Sequence, residues 1–130
     1  DLGFRQTVRR LLDSGKKVVF VIDNPELLVD PKACVERPFP FGHPECAIDV
    51  TAEQTQVRNQ DFDMLVAQHS NDFPQVQFFS ARSVFCDDAI CRARKGHELW
   101  FASRDHLTPA GSRRVAVGLN ALIDASLAPP

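Results

Sequence analysis

Seven residues, Lys17-Val18-Val19-Phe20-Val21-Ile22-Asp23, do most to limit how this chain can fold. An unbroken apolar run rich in β-branched side chains reads as a strand covered on both faces, the habit of parallel sheets with helices on either side. Its length falls far short of the roughly 20 residues that cross a bilayer. Before it, Phe4, Val8, Leu11 and Leu12 recur at helical spacing, and Gly15 follows as a C-cap. After it, Asn24-Pro25 ends the strand.

The same alternation continues. Thr51-Ala52-Glu53-Gln54 is a capping box that opens a helix to about Ser70, with Phe62, Leu65, Val66 and His69 on one side. Val76 to Ser80 reads as a second strand, residues 83–95 as a short helix or turn, and His97 to Ala102 as a third strand. Thr108-Pro109 starts a last helix, with Thr at the N-cap and Pro at N1, whose buried face is Val115, Leu119, Leu122, Ile123 and Leu127. The order predicts a single α/β domain over 1–130, with a mostly parallel sheet between helical layers and a frayed tail at 128–130. Three strands make a thin sheet, so the expectation is a three-layer sandwich lacking N-terminal strands, part of a longer protein.

Two stretches depart from the alternation. Between 25 and 50, five prolines (Pro25, Pro31, Pro38, Pro40, Pro44) forbid regular structure over most of the segment. A loop of that length in a compact domain is usually functional or disordered. The cysteines Cys34, Cys46, Cys86 and Cys91 fall in irregular sequence. Four cysteines allow three pairings, and the sequential one, Cys34 with Cys46 and Cys86 with Cys91, closes two short loops suited to an oxidising compartment. A metal site including His43 or His97 is the rival, although the spacings C-x11-C and C-x4-C match structural zinc poorly. Four buried, reduced thiols are the third possibility.

Charge narrows the partners. Fifteen basic against seventeen acidic residues give −2, with no basic tail, which argues against nucleic acid. In an open α/β sheet, ligands bind beyond the carboxyl ends of the strands. Asp23-Asn24 and Ser103-Arg104-Asp105-His106 stand at such ends. His106, between a strand and a helix start, is the stronger candidate, because imidazole titrates near neutrality and moves protons. On position alone the better reading is a polar loop residue that merely precedes a capped helix.

The stretch Leu99-Trp100-Phe101-Ala102-Ser103-Arg104-Asp105-His106-Leu107-Thr108-Pro109-Ala110-Gly111 resembles the last block of the SGNH/GDSL hydrolase family. More narrowly, it resembles the SGNH domain of acyltransferase family 3 membrane proteins, which place D-x-x-H-L-S/T-x-x-G between a hydrophobic strand and a helix. Gly15-Lys16-Lys17 leading into the apolar run and Asn24-Pro25-Glu26 is similar to that subgroup's third strand and following loop. Asp30 to Pro38, with Cys34-Val35-Glu36-Arg37, is similar to its Cys-x-x-Arg segment, and Phe85-Cys86-Asp87-Asp88 with Cys91 to its cysteine pair.

The resemblance implies an SGNH/flavodoxin-like sheet and makes His106 the histidine that activates a serine. The serine and the oxyanion-hole residues belong to earlier blocks that would precede Asp1, and none of Ser14, Ser70, Ser80 or Ser83 has a Gly-Asp-Ser context. The family's acid stands three residues before the histidine, where this chain has Ser103. Ser103, a backbone carbonyl or Asp105 could orient the ring instead. Adjacent side chains usually point apart, which counts against Asp105.

The resemblance further implies a periplasmic domain, joined in the parent chain to a membrane-embedded acyltransferase domain. Its partner is a cell-surface polysaccharide acceptor that it O-acetylates, with no cofactor. A secreted esterase and a non-catalytic carbohydrate-binding domain are the alternatives.

Overall fold

The computed structural model describes residues 1–34 and 47–127. Helix α1 spans Leu2–Asp13, strand β1 Val19–Ile22, and a 3-10 turn Pro31–Cys34. Strand β2 (Val50–Thr51) leads directly into helix α2 (Ala52–Asp72), which is followed by β3 (Gln77–Ser80). A 3-10 turn at Arg82–Val84, then β4 (Ile90–Cys91), β5 (Arg94–Lys95), β6 (Glu98–Leu99) and helix α3 (Pro109–Leu127) complete the order.

The first two strands form as expected. β1 and β3 pair in parallel, Val19 opposite Gln77 through Ile22 opposite Ser80, with α2 as the crossover. Rings line one face: Phe4 of α1 meets Phe20 edge-on at 5.2 Å, and Phe20 meets Phe78 at 5.6 Å. On the other face α3 approaches so closely that a Cβ at Gly118 would lie 3.2 Å from the Phe79 ring. Among the described residues β1 has a neighbour on one edge only, and Val21 stays 43% exposed rather than covered on both faces.

The rest corrects the sequence expectation. The fold is mixed α/β with small sheets, and the third strand does not join the parallel pair. Gly96, at φ +59°, turns the chain between β5 and β6 in an antiparallel hairpin, Lys95 opposite Glu98. A Gly-X pair at the centre of a two-residue turn favours this geometry. β2 pairs antiparallel with β4. Trp100 and Phe101 therefore enter the core from a loop, not from a strand.

That core is the larger of two. Leu27, Ile48, Val50, Phe85, Cys91, Ala93, Trp100 and Phe101 are buried together. Pro25 and Pro31 are also fully buried, so the start of the proline-rich segment is built into the fold. A smaller cluster of Val8, Phe73 and Val76 seats α1. The predicted capping box is present: Thr51 Oγ1 accepts the Gln54 N–H at 3.1 Å, and Gln54 Oε1 accepts the Thr51 N–H at 3.1 Å. On α3 the expected buried face is only half-buried at Val115, Leu119, Leu122 and Ile123, and Leu127 is 62% exposed. The 128–130 tail and Cys46, with its pairing to Cys34, lie outside the described residues.

Candidate active site

His106 sits in a turn closed by the Ala102 N–H donating to the His106 carbonyl at 2.7 Å and by an antiparallel bridge between Phe101 and Leu107. It is thus not the free end of a parallel strand. The turn is fastened to the loop after β1. The Leu27 N–H donates to the Arg104 carbonyl at 2.7 Å, and Arg104 Nε returns a bond to the Leu27 carbonyl at 3.1 Å. Asn24 Nδ2 donates to the Asp105 carbonyl at 3.1 Å. Leu27 is 0% exposed, so this anchor is rooted in the main core. Glu26, paired with Arg58 at 2.7 Å, lies 3.7 Å from Arg104. The two polar loops singled out in the sequence therefore meet.

Inside the turn Asp105 does reach the ring: its Oδ1 is 2.8 Å from His106 Nδ1. Ser103 Oγ is 3.0 Å from the same nitrogen, donates to Asp105 Oδ1 at 2.9 Å, and accepts the His106 backbone N–H at 3.2 Å. The expectation that neighbours point apart holds for extended chain, and this segment is turned. The bond from Ser103, then that from His106, holds the Asp105 carboxyl below the usual carboxylate range. A carboxylate at Nδ1 favours the tautomer with its proton there, an assignment made from the network. Nε2 is left with a lone pair and no hydrogen-bond partner among the described residues. The His106 side chain is 78% exposed, open to a group approaching from outside.

The helix behind the turn fixes its position. Thr108 Oγ1 accepts the Gly111 N–H at 3.1 Å as N-cap and donates to the Leu99 carbonyl at 2.8 Å. Gly111 lies against the Trp100 backbone, where a Cβ would fall 2.1 Å from the carbonyl oxygen. That contact gives the glycine of the His106 block its physical reason.

Cys86 and Cys91 are disulfide-bonded. Asp87, within their loop, accepts the Ala89 and Ile90 N–H groups at 3.0 and 2.9 Å. With a further bond from Arg92 as the largest influence, its carboxyl is lowered to about 2. Among the described residues no cysteine is free and no cluster of three or more His, Cys, Asp or Glu could hold a metal ion. His43 lies outside them, and His97 stands in the β5–β6 turn.

Sequence reasoning missed Asn24 as the tether of Asp105, because the bond spans 81 positions. It also missed the cluster Arg92, Arg94, Lys95 and His97, which lines one side of a cavity of about 680 Å³. The signal available was the Gly96 hairpin turn flanked by cations.

No curated protein and no solved structure matches the chain. Among the described residues no helix is long and apolar enough to cross a membrane. The sequence profile described as SGNH domain (fused to AT3 domains) matches residues 1–119, and the chain belongs to that acyltransferase-associated family.

Proposed function

We propose that this domain transfers acyl groups, with His106 as general base and then general acid, Asp105 as the residue that orients and charges it, and Ser103 as a brace for both. One observation carries the reading: the Nδ1 side of His106 is engaged by Asp105 and Ser103, and Nε2 is left for a reacting hydroxyl. The division of labour is that of a serine–histidine–acid site.

In this scheme a serine from another part of the parent protein attacks the carbonyl of an acyl donor. Nε2 takes the hydroxyl proton, a C–O bond to serine forms, the donor's acyl bond breaks, and the imidazolium returns the proton to the leaving group. A hydroxyl of a cell-surface polysaccharide then gives its proton to Nε2 and attacks the serine ester, and the serine recovers its proton. The domain acts on the periplasmic face, beside the membrane-embedded domain that supplies the acyl group. The family's fusion to AT3 domains supports that pairing.

The test is acyl transfer by the full-length parent protein in membranes. General bases contribute about 10²–10⁴-fold, and His106→Ala is expected to lose at least ~10²-fold with unchanged protein level. Asp105→Asn, which cannot balance an imidazolium charge, is expected to lower the rate by at least ~10-fold. An unchanged rate in His106→Ala refutes the assignment. Release of free acid without an acylated saccharide makes the domain an esterase.

A further inference from the structure

Among the described residues, a charged concavity stands at the β5–β6 hairpin, lined by none of the residues of the His106 turn. Residues of the β5–β6 hairpin line an open cavity of about 680 Å³ together with Asp49, Arg92 and Trp100; the hairpin's share is Arg94, Lys95, Gly96 and His97. Cavities that enclose small ligands run about 300–1,000 Å³. We propose that this cavity is a subsite for a saccharide bearing an oxyanion, held by Arg94, Lys95 and His97. The proposal rests on the reading that the domain acts on a saccharide, and it names the acceptor's class.

Three observations carry it. First, the cations are uncommitted. Arg92 is tied to Asp87, but Arg94, Lys95 and His97 have no ion-pair partner among the described residues. The one carboxylate in the lining, Asp49, already accepts the Ala93 N–H at 2.7 Å. This excess of positive charge stands on a chain whose net charge is −2. Second, the wall is rigid. Trp100 is 4% exposed, its indole N–H donates to Glu98 Oε1 at 2.8 Å, and the Arg114 guanidinium lies 4.0 Å from the ring centroid. A preformed wall reduces the ordering cost of binding. Third, the arrangement combines donors that match oxyanions: an arginine fork takes a carboxylate or phosphate by two parallel bonds, and lysine adds a point charge.

A bilayer surface fits less well. Membrane-inserting elements present apolar side chains, and the segment Arg94-Lys95-Gly96-His97 carries no such side chain.

Trp100 is the chain's one tryptophan, so its emission reports the cavity. The experiment titrates the full chain with hexagalacturonate (carboxylate), a phosphorylated oligosaccharide, neutral maltohexaose and phosphatidylglycerol vesicles, with calorimetry alongside fluorescence. The expected result is saturable binding of one or both anionic saccharides, at least tenfold tighter than maltohexaose and weakened by added salt. The arm that binds more tightly identifies the oxyanion.

R94A/K95A is expected to weaken that binding at least tenfold, while R94K/K95R keeps it within threefold. Both positions are exposed, and unchanged circular dichroism shows that the variants fold. Equal binding of acidic and neutral saccharides, no binding of either, or vesicle binding alone overturns the proposal. Binding in a parent protein that transfers nothing overturns the acyl-transfer reading alone, whereas transfer untouched by R94A/K95A with no anionic binding overturns the cavity alone.

Discussion

At the scale of single residues, Ser103 shows how a turn can bring a neighbouring carboxylate onto a histidine ring. The family's acid is missing from that position, but the hydroxyl that replaces it donates to the carboxylate two residues on, and that carboxylate touches the ring. The sequence carried His106 and two side chains, Ser103 and Asp105, that could orient it, with a backbone carbonyl as a third possibility. It did not decide among the three, because backbone conformation settles whether adjacent side chains diverge, and here the Ser103 and Asp105 side chains both face Nδ1. Elsewhere His69 is 3% exposed and packs on Phe4 with ring centroids 4.2 Å apart. Its Nε2 lies 3.2 Å from the Asp1 carboxylate but without hydrogen-bond geometry.

Burial first, and the Arg5 charge second, push the His69 pKa below its ordinary 6.5, against the nearby Asp72 carboxylate, which raises it. The unfolded chain therefore binds this proton at a higher pH than the folded one. The stabilisation is present above about pH 6.5 and is lost as pH falls through the folded value. Urea unfolding from pH 7.5 to 5 is expected to show stability falling with acid in the native chain. His69→Phe, which keeps the aromatic contact without a titrating group, is expected to flatten that slope.

At the scale of elements, α2 was legible and β6 was not. Thr51 to Gln54 specified a cap from local chemistry alone, and the structure has both of its bonds. Thr51→Ala is expected to cost about 1 kcal/mol, measured as a lower midpoint in urea. In contrast, the apolar stretch Leu99-Trp100-Phe101 has strand composition, yet its neighbours take it out of the sheet. Gly96 reverses the chain just before it, and α3 presses on the Trp100 carbonyl just after.

Local composition does not distinguish burial in a sheet from burial in a loop that crosses a core. The close approach at Gly111 is also a prediction: Gly111→Ala sets a Cβ against backbone, which cannot rotate away. It is expected to destabilise the domain by about 1–3 kcal/mol and to displace the His106 turn. Histidine NMR shifts check the displacement independently of stability.

At the scale of the whole molecule, the two cores carry different loads. The larger one lies beneath the hairpin, the His106 turn and the start of the proline-rich segment. The smaller one holds α1. Phe101→Ala, at 1% exposure, is expected to cost about 3–5 kcal/mol, a large fraction of the stability of a typical domain, read as a lower midpoint in urea. Hydrogen exchange is expected to show α1 amides opening before those of β4 and the Phe101 bridge, because fewer buried contacts hold α1. The alternation of helix and strand revealed an α/β fold, but the small antiparallel pairings depend on contacts that no local pattern encodes.

The bonds that fasten the His106 turn span 77 and 81 positions. Closing so long a loop is entropically costly until the core between its ends has formed. Non-local contacts of this kind are slow to assemble. As the chain emerges during synthesis, Leu27 and Asn24 wait for partners that lie 77 and 81 positions further on. The imidazole therefore acquires its fixed orientation only after these distant segments have met, and a chain in which they stay apart carries the histidine without its Asp105 and Asn24 geometry.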